Sequence, residues 1–224
     1  MSTSPILQVR EVTKQFGEEP QKLTILHPIS FDIQAGDTVS IVGPSGSGKT
    51  TLLGLCAGLD QASSGQIFLK DVPLVGRSED ELAKIRNEHV GFVFQNFQLL
   101  PTLTALENIQ VPMELKGQRK GVRQDALRLL QQVGLEARAD HYPTQLSGGE
   151  QQRIARARAF ANQPAILFAD EPTGSLDAET GAMIEQLLFE LNKQQGTTLV
   201  MVTHDLELAS KTDVMIPIKG GRLQ

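Results

Sequence analysis

Residues Gly43, Pro44, Ser45, Gly46, Ser47, Gly48, Lys49 and Thr50 follow the spacing G-x-x-x-x-G-K-[ST]. Glycines at those positions let backbone N–H groups turn toward phosphate oxygens, which bulkier residues would prevent. Lys49 then reaches the β- and γ-phosphates, and the Thr50 hydroxyl faces Mg²⁺. A second set, Leu146, Ser147, Gly148, Gly149 and Glu150, lies far downstream. Ser147 and Glu150 also satisfy the S-x-x-E capping box at the head of a helix running toward Asn162. If the Ser147 oxygen accepts from the Glu150 backbone N–H, its own proton stays free for a phosphate. Gly148 and Gly149 leave their N–H groups open for the same ligand.

Asp170 and Glu171 follow the apolar run Ala165 to Ala169, at the C-terminal end of an expected buried strand, where open α/β sheets bind ligands. A Mg²⁺-nucleotide gives two acids a purpose there. Asp170 can hold the metal, directly or through water, and Glu171 can orient and deprotonate the water that attacks the γ-phosphate. His204 ends another apolar run, Leu199 to Val202 plus Thr203; a neutral imidazole there can bond the γ-phosphate and hold Glu171. Gln95 follows Val90 to Phe94 and can offer its side-chain carbonyl to Mg²⁺ or to the attacking water. Phe16, just before Gly17, either packs in the core or stacks on an adenine ring. His27, His89 and His141 lack comparable surroundings and read as structural.

These groups need a scaffold. Val39 to Val42 reads as a buried strand before the glycine loop and Lys49 to Ala57 as a helix after it, whose N-terminus adds partial positive charge to the phosphate site. Ile6 to Phe16 and the alternation of Ile29, Phe31 and Ile33 with Ser30 and Asp32 predict sheet in the first forty residues, with a turn at Gly17 to Gln21. Runs at 165–169, 198–202 and 214–218 predict further strands. Continuous apolar strands between helices indicate a parallel sheet covered on both faces. Strand signals disappear between Gln95 and Pro164. Helical patterns near Thr104 to Val111 and over Val122, Ala126, Leu127, Leu130 and Val133 replace them, and predict an inserted helical lobe. Capping boxes mark helix starts at Ser78/Glu81 and Thr104/Glu107. Asp177 begins a helix in which Met183, Ile184, Leu187, Leu188 and Leu191 share one face. Phe97, Leu99, Leu100, Pro101 and Leu103 form an apolar cluster that is either lobe core or a docking surface.

The 224 residues suffice for one large domain with an inserted lobe, and not for two independent nucleotide domains. Apolar residues make up 40% and charged residues 21%, the balance of a folded globular protein. A net charge of −5 argues against a general nucleic-acid surface, so no nucleic-acid partner is expected. Cys56 is the one cysteine, which excludes an internal disulfide and fits a reducing cytoplasm; its apolar neighbours predict a buried thiol. No signal-peptide pattern opens the chain and no run of eighteen apolar residues occurs, so any membrane role is expected to work through a partner.

Taken together, these motifs resemble the ATP-binding cassette (ABC) ATPases over nearly the whole chain. Phe16 is similar to the family's adenine-stacking aromatic, Gly43 to Thr51 to its Walker A element, and Gln95 to its Q-loop. Leu146 to Gln152 resembles the signature, Ile166 to Glu171 Walker B, Ser175 to Asp177 the D-loop, and His204 the switch histidine. The resemblance implies an α/β fold: a P-loop NTPase core with a mostly parallel sheet, an N-terminal antiparallel β subdomain and an inserted α-helical subdomain. It divides a single 1–224 domain into a core (1–95 and 163–224) and a helical signature subdomain (96–162). It brings Thr51, Ser147, Gly148, Gly149, Glu150 and Asp177 into nucleotide binding, and Thr50, Gln95 and Asp170 to Mg²⁺.

Gly91 to Gln95, Leu99 to Asn108 and Asp170 to Gly174 look most similar to the lipoprotein-release and macrolide-export group, from whose asparagine Ser175 departs. The resemblance further implies an ATP-driven head-to-tail pair of identical chains. It implies a separate membrane permease that exports or extracts a substrate, and a position on the cytoplasmic face of the membrane. Soluble relatives serving DNA repair fit less well, because the stretch from Gln95 to Leu146 is too short for a long coiled coil. A single cassette likewise disfavours the tandem translation type. An ATP-sensing scaffold remains the other alternative.

Overall fold

The computed structural model describes residues 4–18, 20–93, 99–174 and 178–224, with several side chains of the helix over 178–195 left out. Its centre is a six-stranded sheet. Strand β3 (Thr38–Val42) is buried along its whole length and runs straight into the glycine loop and helix α1 (Lys49–Cys56). β6 (Val90–Val93), β7 (Ile166–Asp170), β8 (Thr198–Thr203) and β9 (Val214–Lys219) run parallel to it, in the order β9-β3-β8-β7-β6; β10 (Arg222–Leu223) joins antiparallel at the β9 edge. β8 is buried at every residue, as a strand with both faces covered must be. The expected strand positions at 165–169, 198–202 and 214–218 agree with these elements to within a residue.

A second sheet is antiparallel, ordered β2-β1-β4-β5, from β1 (Leu7–Phe16), β2 (Leu23–Ile33), β4 (Ser64–Leu69) and β5 (Val72–Pro73). The sequence patterns did not identify β4, β5 or β10. In β4 a glycine interrupts the pattern: Gly65 has φ +88, and a Cβ there would lie 2.4 Å from the Glu11 carbonyl oxygen, at the bulge of β1. Glycine is what permits that close approach. Leu7, Val9, Leu26, Ile29 and Ile67 of this sheet share one apolar core with Leu52, Leu55 and Cys56 of α1 and with Phe168 and Val202 of the central sheet. Cys56 is buried as expected, and burial pushes its thiol up to about 12.

Helices α2 (Glu79–His89), α3 (Ala105–Leu115), α4 (Val122–Gln132) and α5 (Gly148–Phe160) lie between β5 and β7 in sequence, with two short 3₁₀ turns at Glu136–Arg138 and Pro143–Gln145. α3, α4 and α5 close on a separate core that includes Leu106, Ile109, Met113, Leu130 and Ile154. Capping boxes are complete at Ser78/Glu81, Thr104/Glu107 and Ser147/Glu150. Pro112, which lacks a helix donor, directly follows the pattern expected near Thr104 to Val111. The helix continues to Leu115 nonetheless: Met113 is buried in the core, and the Pro112 carbonyl accepts from Asn162 Nδ2 at 3.0 Å. α6 (Ala178–Gln195) starts next to the expected Asp177, which lies outside the described residues, and α7 (Leu206–Ser210) is capped by Asp205. Among the described residues, no helix is long and apolar enough to cross a membrane.

Candidate functional site

The glycine loop is gripped from both sides. A Cβ on Gly43 would fall 2.0 Å from the Ile218 carbonyl oxygen of β9, and one on Gly48 would fall 2.6 Å from Leu26 Cδ2 of β2. Gly48 also caps α1 at φ 96, a left-handed conformation that a side chain would strain. The Gly221 N–H donates to the Ser47 carbonyl oxygen at 3.1 Å, so the turn after β9 holds the loop as well. Lys49 is 7% exposed and curls back over the loop, donating from Nζ to Gly43 O at 2.9 Å and Pro44 O at 3.1 Å. Ser47 Oγ is buried with no hydrogen-bond partner among the described residues. An orphaned buried hydroxyl costs free energy.

Because β8 lies between β3 and β7, the C-terminal ends of all three strands converge. Asp170 ends β7, and its Oδ1 accepts from the Thr50 hydroxyl at 3.2 Å. Burial pushes the Asp170 carboxyl up and the Glu171 charge adds to this, while Thr50 and Lys49 oppose it. Glu171 follows at φ 46, unusual for a residue with a side chain. Its N–H donates to Val202 O at 3.0 Å, and its carbonyl accepts from Gly174 N at 3.2 Å. This turn aims the carboxylate at His204, just beyond β8: Glu171 Oε2 lies 2.8 Å from His204 Nδ1.

A cavity of about 610 Å³ is lined by Ser45, Gly46, Gly48, Lys49, Thr50, Thr51, Glu171, Gly174, His204 and Ile25. Ile25 and Gly174 were not foreseen. Ile25 comes from β2 through tertiary packing, for which the sequence carries no local signal. Thr50 and Asp170 offer adjoining hard oxygen donors, and no group of three or more metal-ligating His, Cys, Asp or Glu side chains occurs among the described residues. So few protein ligands fit Mg²⁺, which keeps several waters and takes phosphate oxygens from its nucleotide.

Not every expected site residue lines this cavity. Phe16 is 49% exposed at the end of β1, outside the lining. Ser147 and Gly148 are exposed at the head of α5, also outside it. There the Ser147 Oγ accepts from Glu150 N at 3.3 Å, while Glu150 Oε2 accepts from Ser147 N at 2.8 Å. The Glu150 carboxyl is held down at about 2 by the Ser147 backbone N–H, then by the Ser147 hydroxyl, then by Arg138. Arg138, which donates from Nε to Glu150 Oε1 at 3.0 Å, was not foreseen either. Gln95 and Asp177 lie outside the described residues. His27 and His141 engage Arg222 and Arg138, and neither they nor His89 line the cavity.

Residues 26–174 match the ABC transporter family. The chain belongs to that family. The cassette is 50% identical over 225 residues to an uncharacterized ABC transporter ATP-binding protein, YbbA of Escherichia coli (strain K12), covering 100% of this chain and 99% of the relative. It is 47% identical over 222 residues to the lipoprotein-releasing system ATP-binding protein LolD of Idiomarina loihiensis, covering 99% and 97%. Among solved structures it is similar to the dimeric bacterial ABC transporter cassette MJ0796, at 43% identity and TM-score 0.90 over 97% of this chain and 96% of that one. A dimeric post-hydrolysis state of MJ0796 bound to ADP and Pi matches with the same figures. The cassette is thus an ATP-binding, ATP-hydrolysing subunit of an ABC transporter of the YbbA/LolD type, and its α/β fold is that of the ABC ATPases.

Proposed function

We propose that ATP joins two copies of this cassette head to tail, and that closing and reopening of the pair drives a separate membrane permease. The observation that carries this reading is the separation of two phosphate-binding elements. The cavity at the glycine loop holds no residue of the α5 N-terminus, while Ser147 and Gly148 stand exposed at the head of α5. A second copy supplies the missing donors to the open side of the terminal phosphate and excludes water from it.

Within each site the loop residues and Lys49 bind the phosphates, Thr51 lines the same wall, and Phe16 stacks on the adenine. Thr50 and Asp170 hold Mg²⁺, together with Gln95; bound there, the metal neutralises charge on the β- and γ-phosphates. Glu171 takes the proton of the attacking water, and His204, through Nδ1–H, fixes the Glu171 carboxylate. Ser147, Gly148, Gly149, Glu150 and Asp177 serve the nucleotide of the partner copy. Gln152 joins the two parts of one chain: it is buried, and its Nε2 donates to Pro172 O at 3.2 Å, beside Glu171.

Residues 96–162 act as the lobe that transmits closure to the permease. Leu100, 43% exposed, sits in a loop pinned by fully buried Asn108, which accepts from Leu100 N and donates to Leu100 O, Leu103 O and Thr104 O. Held in this way, Leu100 offers an exposed apolar side chain that a membrane helix can contact. The cassette accordingly resides on the cytoplasmic face of the membrane, and likeness to LolD favours a permease that extracts or exports lipid-linked cargo.

The test is the association state of Glu171→Gln with ATP and Mg²⁺, followed by light scattering. A nucleotide-dependent pair is expected. Adding Ser147→Arg should abolish pairing, and Ser147→Arg alone should abolish hydrolysis while leaving ATP binding by the single chain intact. A single-chain species with full activity at saturating ATP overturns the reading.

A further inference from the structure

Lys14 and Phe16 share one face of β1, near its C-terminal end. The Lys14 side chain is 9% exposed, and its Nζ donates to Asp60 Oδ1 and to Gln61 O, each at 2.7 Å. The same ammonium lies 4.8 Å from the centroid of the Phe16 ring. Phe16 is 49% exposed, and its cross-strand partner Leu23 is 59% exposed. One side of the ring is therefore occupied by a fixed cation, while about half of the Phe16 surface stays exposed.

The ring's place relative to the phosphate cavity is also fixed. β2 carries Leu23 opposite Phe16, and two residues on it carries Ile25, which lines the cavity. Next on β2, Leu26 is paired with Lys14 and packs so closely on Gly48 that a Cβ there would clash with it.

We propose that Lys14 is a positioning residue for the nucleotide base, holding the Phe16 ring from behind by a cation–π contact so that its open face receives the adenine. This rests on the stacking role given to Phe16 above. Two physical effects follow. A half-exposed aromatic that is already oriented loses less conformational freedom when a ligand stacks on it. A cation on one face also draws on the ring's π-electrons, so that the opposite face better accepts an electron-rich purine. Lys14 is not a phosphate ligand, because its ammonium is committed to Asp60 and Gln61. Asp60 supplies the anchor from outside the site, and its side chain is 44% exposed, so it stays solvated if Lys14 is removed.

The test is calorimetric titration of the full chain and of Lys14→Met, Lys14→Arg, Phe16→Leu and the Lys14→Met/Phe16→Leu double variant. The ligands are Mg²⁺-ATP and Mg²⁺-tripolyphosphate, which carries the phosphates without a base. Lys14→Met should weaken ATP binding about threefold to tenfold and leave tripolyphosphate binding unchanged. Lys14→Arg should restore most of the ATP affinity, and Lys14→Met should cost nothing further in the Phe16→Leu background. Unchanged ATP affinity in Lys14→Met, an equal loss for tripolyphosphate, or an undiminished loss without the Phe16 ring each overturns the proposal. Phe16→Leu binding ATP as tightly as the wild type is a different result: it removes the stacking role itself, and this inference with it. If Lys14→Met fails to fold, Asp60→Asn loosens the same anchor and should show a smaller loss confined to ATP; no such loss overturns the proposal.

Discussion

Glu171 and His204 meet side chain to side chain, Oε2 to Nδ1 at 2.8 Å, although 33 residues separate them in the chain. Each follows one of two adjacent parallel strands, and a left-handed turn at Glu171 points its carboxylate across the gap. The Glu171 side chain is 18% exposed and that of His204 69%, so the acid sits inside the cavity and the imidazole at its rim. Such an arrangement suits a base that must be oriented before it can deprotonate an attacking water.

Glu171→Gln keeps the shape of the site and removes the base. ATP affinity should stay within about twofold, while steady-state hydrolysis falls by about a hundredfold or more. Phosphate release at wild-type rate would remove Glu171 from the reaction.

Ser47→Ala deletes a buried hydroxyl that has no hydrogen-bond partner among the described residues. Thermal stability without nucleotide should therefore be unchanged or slightly raised. ATP affinity should drop about threefold to tenfold, the worth of one hydrogen bond to an ionised phosphate. A lowered midpoint with normal ATP affinity would give the hydroxyl a structural role instead.

Two loop glycines with similar backbones should respond differently to alanine. Gly46 has φ 75 and open space around its missing Cβ, so Gly46→Ala should cost about 1–2 kcal/mol of backbone strain. Gly48→Ala adds a clash with buried Leu26 and should cost about 1–3 kcal/mol more. Urea unfolding without nucleotide measures both, and equal losses would contradict the packing on β2.

Stability at low pH should carry the mark of the α5 cap. Glu150 is depressed from 4.5 to about 2 in the folded chain, so its contribution is complete above pH 4.5 and disappears as pH falls through about 2. The difference in unfolding midpoint between wild type and Glu150→Gln should be largest above pH 4.5 and close toward pH 2. A difference independent of pH would mean that the charge on Glu150 contributes nothing to the cap.

Local chemistry was legible directly in the sequence, because phosphate binding and helix capping depend on residues close together in the chain. The loop from Gly43 to Thr51, the cap at Ser147 and Glu150, and the acids at the C-terminal end of β7 are all patterns of this kind. Hydrophobic runs likewise revealed β3, β7 and β8, since strands buried on both faces leave little room for polar residues. Short β4, β5 and β10 gave weaker signals, with Gly65 and Pro73 breaking the alternation. What only the tertiary structure decided is the order of the strands. Residue spacing does not say that β8 lies between β3 and β7, and that placement brings Lys49, Glu171 and His204 to one cavity. Sheet order is settled by nonlocal packing and hydrogen bonding between strands far apart in the chain, and so are the contribution of Ile25 to that cavity and the grip of Leu26 and Ile218 on the loop glycines.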